Sequence, residues 1–108
     1  MGARLARSGA GGSVDGVGVA NAFEAEGLRP RTWSNGPGDT YGWHRHDYEK
    51  VLVCLAGGIV FHVGHEAGTE DVALGPGDRL ELDPGTDHAA TVGPTGVTCI
   101  EAPRPREP

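Results

Sequence analysis

GDTYGWHRHDYEKVLVCLAG, residues 38–57, is the stretch from which the rest of the chain becomes readable. His44 and His46 stand one residue apart. On an extended strand successive side chains alternate faces, so the two imidazoles point the same way. Two imidazoles on one side of a pleat make half of a metal-ligand shell when a third arrives from elsewhere. A second stretch, GDRLELDPGTDH over residues 77–88, ends in His88, a candidate for that third position. By itself a His-x-His pair is equally a surface pair or a hydrogen-bonded core pair. The glycines around it carry the further information.

Together the two stretches resemble the two motifs of the cupin superfamily. The first family motif runs Gly, five residues, His-x-His, three or four residues, Glu, six residues, Gly. Gly38, His44, His46 and Gly57 fall in register with it, and Lys50 stands in the acidic slot. The second motif runs Gly, five residues, Pro-x-Gly, two residues, His, three residues, Asn. Gly77, Gly85 and His88 are in register; Asp83 occupies the proline slot, Pro84 sits one place late, and Val92 replaces the asparagine. The resemblance spans residues 38–92. It implies an all-β fold, a small antiparallel β-barrel or jelly roll with a metal site inside. It does not name a reaction, because such a fold hosts many chemistries.

Length and composition agree with a small barrel. The 108 residues suffice for one domain with a modest core. Nineteen glycines and eight prolines, spread along the chain, suit short strands joined by tight turns. The net charge is −6 with a single lysine and no basic block, which argues against a nucleic-acid partner. Cys54 and Cys99 lie in apolar stretches and read as buried free thiols rather than a disulfide. The N-terminus has arginines but no apolar h-region, and no run is long enough to span a membrane. A cytoplasmic protein is the expectation.

Taken in order, residues 1–16 are rich in glycine and small side chains and read as a mobile arm. Val17–Glu26 reads as a short helix with Asp15 as N-cap and Gly27 as stop; the alternative is a strand over FEAEGL. The helix would cover an end or edge of the barrel. Strands follow at Leu28–Ser34, Tyr41–His46, Lys50–Ala56, Ile59–His65, Thr69–Leu74, Arg79–Leu82 and Val97–Ala102. The turns between them are NGPG at 35–38, GG at 57–58, EAG at 66–68, Gly75–Asp78 and DPGTD at 83–87. KVLVCLA, residues 50–56, alternates little, as expected of a strand covered on both sides. Leu80 and Leu82 should face the core. The barrel would span 17–102 and a proline-rich tail 103–108. Eight or so strands at this spacing fit a barrel even without the family resemblance.

The candidate metal ligands are His44, His46 and His88. Neutral imidazole accepts Zn, Fe, Ni, Cu or Mn, so one divalent transition metal is expected without its identity. Three histidines leave an open coordination position, as catalysis requires. The alternative is a barrel that keeps the three as hydrogen-bonding core residues.

Lys50 is the main departure from the family pattern. At about 4 Å two unit charges repel by roughly 4 kcal/mol at an effective dielectric of 20, and a divalent ion about doubles that. The ammonium must therefore swing away, lose its proton, or share an anion with the metal. The last is the sharpest expectation, a small carboxylate bridging metal and Lys50. Tyr41, at the mouth, would donate a hydrogen bond to such a ligand, so Lys50 and Tyr41 are the candidate catalytic residues. Glu49 enters the metal shell only if a bulge shifts its strand by one residue. Trp43 and Arg45 alternate with the histidines and face outward, Tyr48 flanks them, and His62 and His65 read as ordinary strand and turn residues.

No nucleophile with an adjacent base and no phosphate-cradling loop is present. Two functions remain open. One is a metal-dependent enzyme, dioxygenase- or isomerase-like, acting on a small oxygenated and anionic molecule. The other is a barrel without turnover, binding a small ligand or serving a structural role without metal. Small cupins commonly pair, so the resemblance also implies a homodimer.

Overall fold

The structure is a computed structural model that describes residues 2–8, 14–65 and 67–105. Residues 1 and 9–13 of the expected arm, residue 66 of the expected turn and residues 106–108 of the expected tail lie outside the described residues. The elements run β1 (Ala3–Ala6), α1 (Gly16–Ala25), β2 (Arg31–Asn35), β3 (Thr40–His44), β4 (Glu49–His65), β5 (Gly68–Leu74), β6 (Arg79–Leu82) and β7 (His88–Arg104). Every strand pairing is antiparallel. The sheet has seven strands, ordered β1-β6-β4-β7-β2, with β5 added to β4 and β3 to β7. It is an open, folded-over jelly roll and not a closed ring.

Two long strands make the fold. β4 and β7 each run for 17 residues and pair along most of their length. The first half of β4 pairs with β6 and with the second half of β7, whose other side takes β2. The second half of β4 pairs with β5 and with the first half of β7, which takes β3. The expected GG turn at 57–58 therefore reverses nothing. It is the bend at which β4 passes from one half-sheet to the other, so Lys50–Ala56 and Ile59–His65 are one strand, and Val97–Ala102 is part of a longer one. Gly57 adopts φ 75°, and a Cβ there would overlap the Gly96 carbonyl oxygen. Opposite the single residue Gly58, β7 carries Gly93–Gly96 between the pairs Ile59–Val92 and Gly57–Val97. That surplus lets both strands bend together.

The apolar residues divide by parity. Leu52, Cys54, Leu80, Leu82, Val97 and Cys99 point inward to a core shared with Ile59, Phe61 and Val63. Val51, Val53, Leu55, Ile100 and Ala102 point outward and are covered by Phe23 and Leu28. This is why β4 lacks alternation: both of its faces are dry. Cys54 faces Cys99 across the strands, and both are buried, unbridged thiols.

Helix α1 lies on the outer face of the five-stranded half, not at an end or edge of the barrel. Asp15 caps it, its carboxylate accepting from Val17 N–H at 3.1 Å. At the other end Leu28 N–H donates to the Phe23 carbonyl and Gly27 N–H to that of Glu24, with Gly27 at φ 79°. This is a Schellman closure, and its hydrophobic pair is Phe23 with Leu28.

The segment read as an arm contains a strand. Ala3–Ala6 pair with Leu82–Arg79, and Arg4 binds Glu49, Glu81 and Asp83. Among the described residues no helix is long and apolar enough to cross a membrane.

Candidate functional site

A bulge aims β3. Thr40 pairs with Thr91 and Tyr41 with Ala90, but the next pair is His44 with His88. Gly42 and Trp43 thus stand opposite the single residue Ala89. Two against one reverses the alternation, so Tyr41 and His44 line the same cavity although strict period would part them. Trp43 is turned out and is 55% exposed.

β3 ends at His44, so His46 lies just beyond the strand expected over 41–46. The turn before β7 holds it: Gly85 N–H donates to the His46 carbonyl at 2.7 Å, and Arg45 pairs with Asp87 at 2.9 Å. The same turn delivers His88, which is 2% exposed.

The three rings converge. Their centroids are 4.2 Å (His44–His88), 5.0 Å (His44–His46) and 5.3 Å (His46–His88) apart. One ring nitrogen from each lies within 4.8 Å of the others. Tetrahedral ligands at ~2.1 Å from a metal stand ~3.4 Å apart, so small ring rotations close the cluster on an ion. His44 Nδ1 donates to the Gly42 carbonyl at 2.7 Å, and His88 Nδ1 to the Thr86 carbonyl at 2.9 Å. Each bond fixes the tautomer that leaves Nε2 with a free lone pair, as metal-ligating histidines require. Among the described residues, His46 Nε2 and His88 Nε2 are buried without any hydrogen-bond partner. Orphaned buried ring nitrogens beside one another suit a cation, whereas a hydrogen-bonded core cluster would have satisfied them.

Burial disfavours the charged form of His88 and His46. Desolvation, opposed by the Thr86 bond and aided by the charges of His44 and Lys50, lowers the His88 pKa to about 4. His46 is also lowered, first by burial and then by Lys50 and His44. Tyr48 stacks on His46 at 4.8 Å with planes 23° apart.

The opposite wall comes from the other half-sheet. Lys50 does not swing away: its ammonium lies 3.2 Å from Glu101 Oε1, and both side chains are largely buried. Trp33 Nε1 donates to the same oxygen at 2.6 Å. Arg31 pairs with Glu101 in the β2–β7 register. Histidines, Lys50, Glu101, Arg31 and Tyr41 line one cavity of about 270 Å³. The charge on Lys50 is thus balanced by a protein side chain, Glu101, which sequence reasoning did not single out. One signal for it existed in the sequence: a lone charge in the apolar run VTCIEA, at the same parity as Cys99.

Two expectations shift. Tyr41 faces the cavity, but its hydroxyl donates to Asn35 Oδ1, so toward a ligand it offers lone pairs. Its pKa is raised by burial and then by the Glu101 charge. Glu49 stays out of the histidine cluster: β4 has no bulge there, and its carboxylate meets Arg4 and Arg104 on the far face. His62 bonds Asp71 and Thr91 across the strands, and His65 bonds Glu70, both away from the cavity.

Comparison with known proteins gives a consistent outcome. The sequence model described as the cupin domain matches residues 32–100. No curated protein matches the chain by sequence. Among solved structures, a chain from DMSP lyase crystals superposes with a TM-score of 0.65 and 28% identity, over 72% of this chain and 38% of that one. A single-site tryptophan-to-tyrosine variant of oxalate decarboxylase from Bacillus subtilis gives 0.65 and 18%, over 70% and 20%. The hydroxypropylphosphonic acid epoxidase from S. wedmorenis, in complex with fosfomycin, gives 0.61 and 17%, over 75% and 46%. The chain therefore spans less than half the length of each.

Proposed function

The chain belongs to the cupin family, and from that premise we propose that it is a metal-dependent enzyme acting on a small oxygenated anion. The observation that carries this reading is the pair of buried, partnerless Nε2 atoms of His46 and His88 beside His44. These three residues would hold one divalent transition metal. Bound there, the ion would supply Lewis-acid or oxygen-binding chemistry at its open positions. The protein's own groups do the rest. Lys50 has three donors and is held by an ion pair with Glu101, which leaves donors for an acid group. Arg31 adds a second positive charge to the same wall, and Tyr41 and Tyr48 close the sides. Oxalate decarboxylase and the phosphonic acid epoxidase are named for small acids, which agrees with a site of this charge.

Elemental analysis tests the metal. Purified protein should carry close to one equivalent, and a His44→Ala, His88→Ala double variant almost none; equal content in both would overturn the site. Oxygen uptake by the Fe(II)-loaded protein with a panel of small acids then separates an oxygenase from a non-oxidative isomerase-like enzyme or a barrel that only binds.

The same reading takes the protein as a cytoplasmic homodimer, with outward-facing Trp43 on β3 available to a second copy. Sedimentation at the monomer mass of 11.2 kDa over a wide concentration range would remove the dimer.

A further inference from the structure

We infer that Glu101 sets the substrate class: the ligand of this cavity is a small hydroxy acid, whose hydroxyl donates to Glu101 Oε2 while its acid group faces the histidine cluster and Lys50. The inference rests on the metal-dependent reading above and goes beyond it by naming a second functional group on the ligand.

The argument is an inventory of donors and acceptors around the cavity. Glu101 is only 9% exposed. Its Oε1 accepts from Trp33 Nε1 at 2.6 Å and forms an ion pair with Lys50 Nζ at 3.2 Å. No described residue hydrogen-bonds Oε2, although Glu101 lines the cavity. Lys50 and Arg31 are the lining donors with N–H groups to spare, and an acid group on the ligand would take those; the other neighbouring donors cannot turn to Oε2. Trp33 has one N–H and has spent it. Tyr41 O–H is given to Asn35, and His44 and His88 Nδ1 are given to backbone carbonyls. Water serves Oε2 while the cavity is wet. A ligand that fills the cavity displaces that water and must replace its bond, because a buried carboxylate oxygen left unpaired is costly. An O–H on the ligand is the economical answer. The other groups ask for the opposite: Lys50 and Arg31 are donors without acceptors of their own to give. One end of the ligand is therefore an acid and the other a donor. Two half-sheets bring these demands together, the histidines on β3 and β7 and the Lys50–Glu101 pair on β4 and the far half of β7.

The test uses Zn(II)-loaded protein and three probes of known structure: glycolate, methoxyacetate and acetate, titrated by calorimetry. Glycolate and methoxyacetate both offer an oxygen that can chelate the ion, but only glycolate has a hydroxyl to donate. Glycolate should bind about tenfold or more tighter than methoxyacetate, the scale of a hydrogen bond to a charged group. In Glu101→Gln the ratio should fall to about threefold or less, since a neutral carboxamide is the weaker acceptor. The methyl group of methoxyacetate is common to both measurements, so its bulk cancels. Equal affinities in the wild type, or an undiminished ratio in Glu101→Gln, would overturn the assignment while acetate binding leaves the metal-and-anion reading standing. Failure of all three acids to bind metal-loaded protein overturns both. If Glu101→Gln does not fold, Glu101→Asp serves as the control for bulk: withdrawing the carboxylate by one methylene should lower the ratio, and an unchanged ratio overturns the assignment.

Discussion

His88 is the residue at which stability and site meet. Its ring is buried and its folded pKa is lowered to about 4 from an ordinary value of 6.5. The unfolded chain therefore binds a proton that the folded chain refuses between those two pH values. Stability is full above the unfolded value and falls as the pH drops toward 4, by on the order of 3 kcal/mol for this one group. His46, lowered in the same direction, adds to the slope. Metal-stripped protein should lose that stability between about pH 6.5 and 4.5, before the carboxylates titrate. Denaturant melts at several pH values measure it, and a flat profile across this window, or one unchanged in His88→Asn, would refute the assignment. The three histidines were legible in the sequence because their spacing from fixed glycines is a property of the chain alone. Glu101 was not singled out, because its role depends on a partner 51 positions away, Lys50, that only strand register brings alongside. Tyr41 was placed at the mouth, yet the bulge that takes it there leaves no mark in GDTYGWH beyond a glycine.

At the scale of elements, the bend in β4 and β7 does more than any single strand to create a cavity. Gly57 combines φ 75° with a carbonyl oxygen lying where a Cβ would be. The left-handed conformation alone costs a non-glycine residue ~1–2 kcal/mol, and relieving the clash must push Gly96 away. Gly57→Ala should destabilise by ~3 kcal/mol or more and loosen the half-sheets that carry the site, read as a lower melting midpoint together with weaker metal retention. A variant as stable as wild type would show that the bend tolerates a side chain. Phe23→Ala is the contrast. It removes the buried ring that fastens α1 to the outer face, on the side of β4 away from the cavity. A loss of ~3–5 kcal/mol is expected with metal stoichiometry unchanged in the folded fraction. The helix was readable from Asp15 and Gly27, since caps are local chemistry. Where it would dock was not, because that requires knowing that Val51, Val53 and Leu55 face away from the histidines. Strand β1 escaped for a related reason. ARLA has too little apolar surface to declare itself a strand, and it is held by β6 and by the carboxylates around Arg4.

For the whole molecule the question is what joins the two half-sheets besides the bend. The radius of gyration, 13.2 Å, is about that of a single compact domain of this length. A shared core accounts for most of the cohesion; the arginine–carboxylate network on the outside, where Glu26 at the end of α1 meets both Arg79 and Arg104, ties the helix to the five-stranded half alone. The histidine cluster sits where such outer contacts do not reach. It gathers the end of β3, the segment after it and the first residue of β7, and among the described residues two of its ring nitrogens have no hydrogen-bond partner in the interior. An ion held there binds the folded chain and not the unfolded one, so it must stabilise by mass action: ~2.7 kcal/mol at a free metal concentration 100 times the dissociation constant. For a domain of this size each kcal/mol moves the midpoint by roughly 4–8 °C. Adding a chelator to metal-loaded wild type should therefore lower its melting temperature by on the order of 10–20 °C, and returning Zn(II) should restore it. The His44→Ala, His88→Ala variant should melt at one temperature whether or not metal is present. A wild type indifferent to chelator, or a double variant that responds as strongly, would mean that the three imidazoles contribute packing and nothing more.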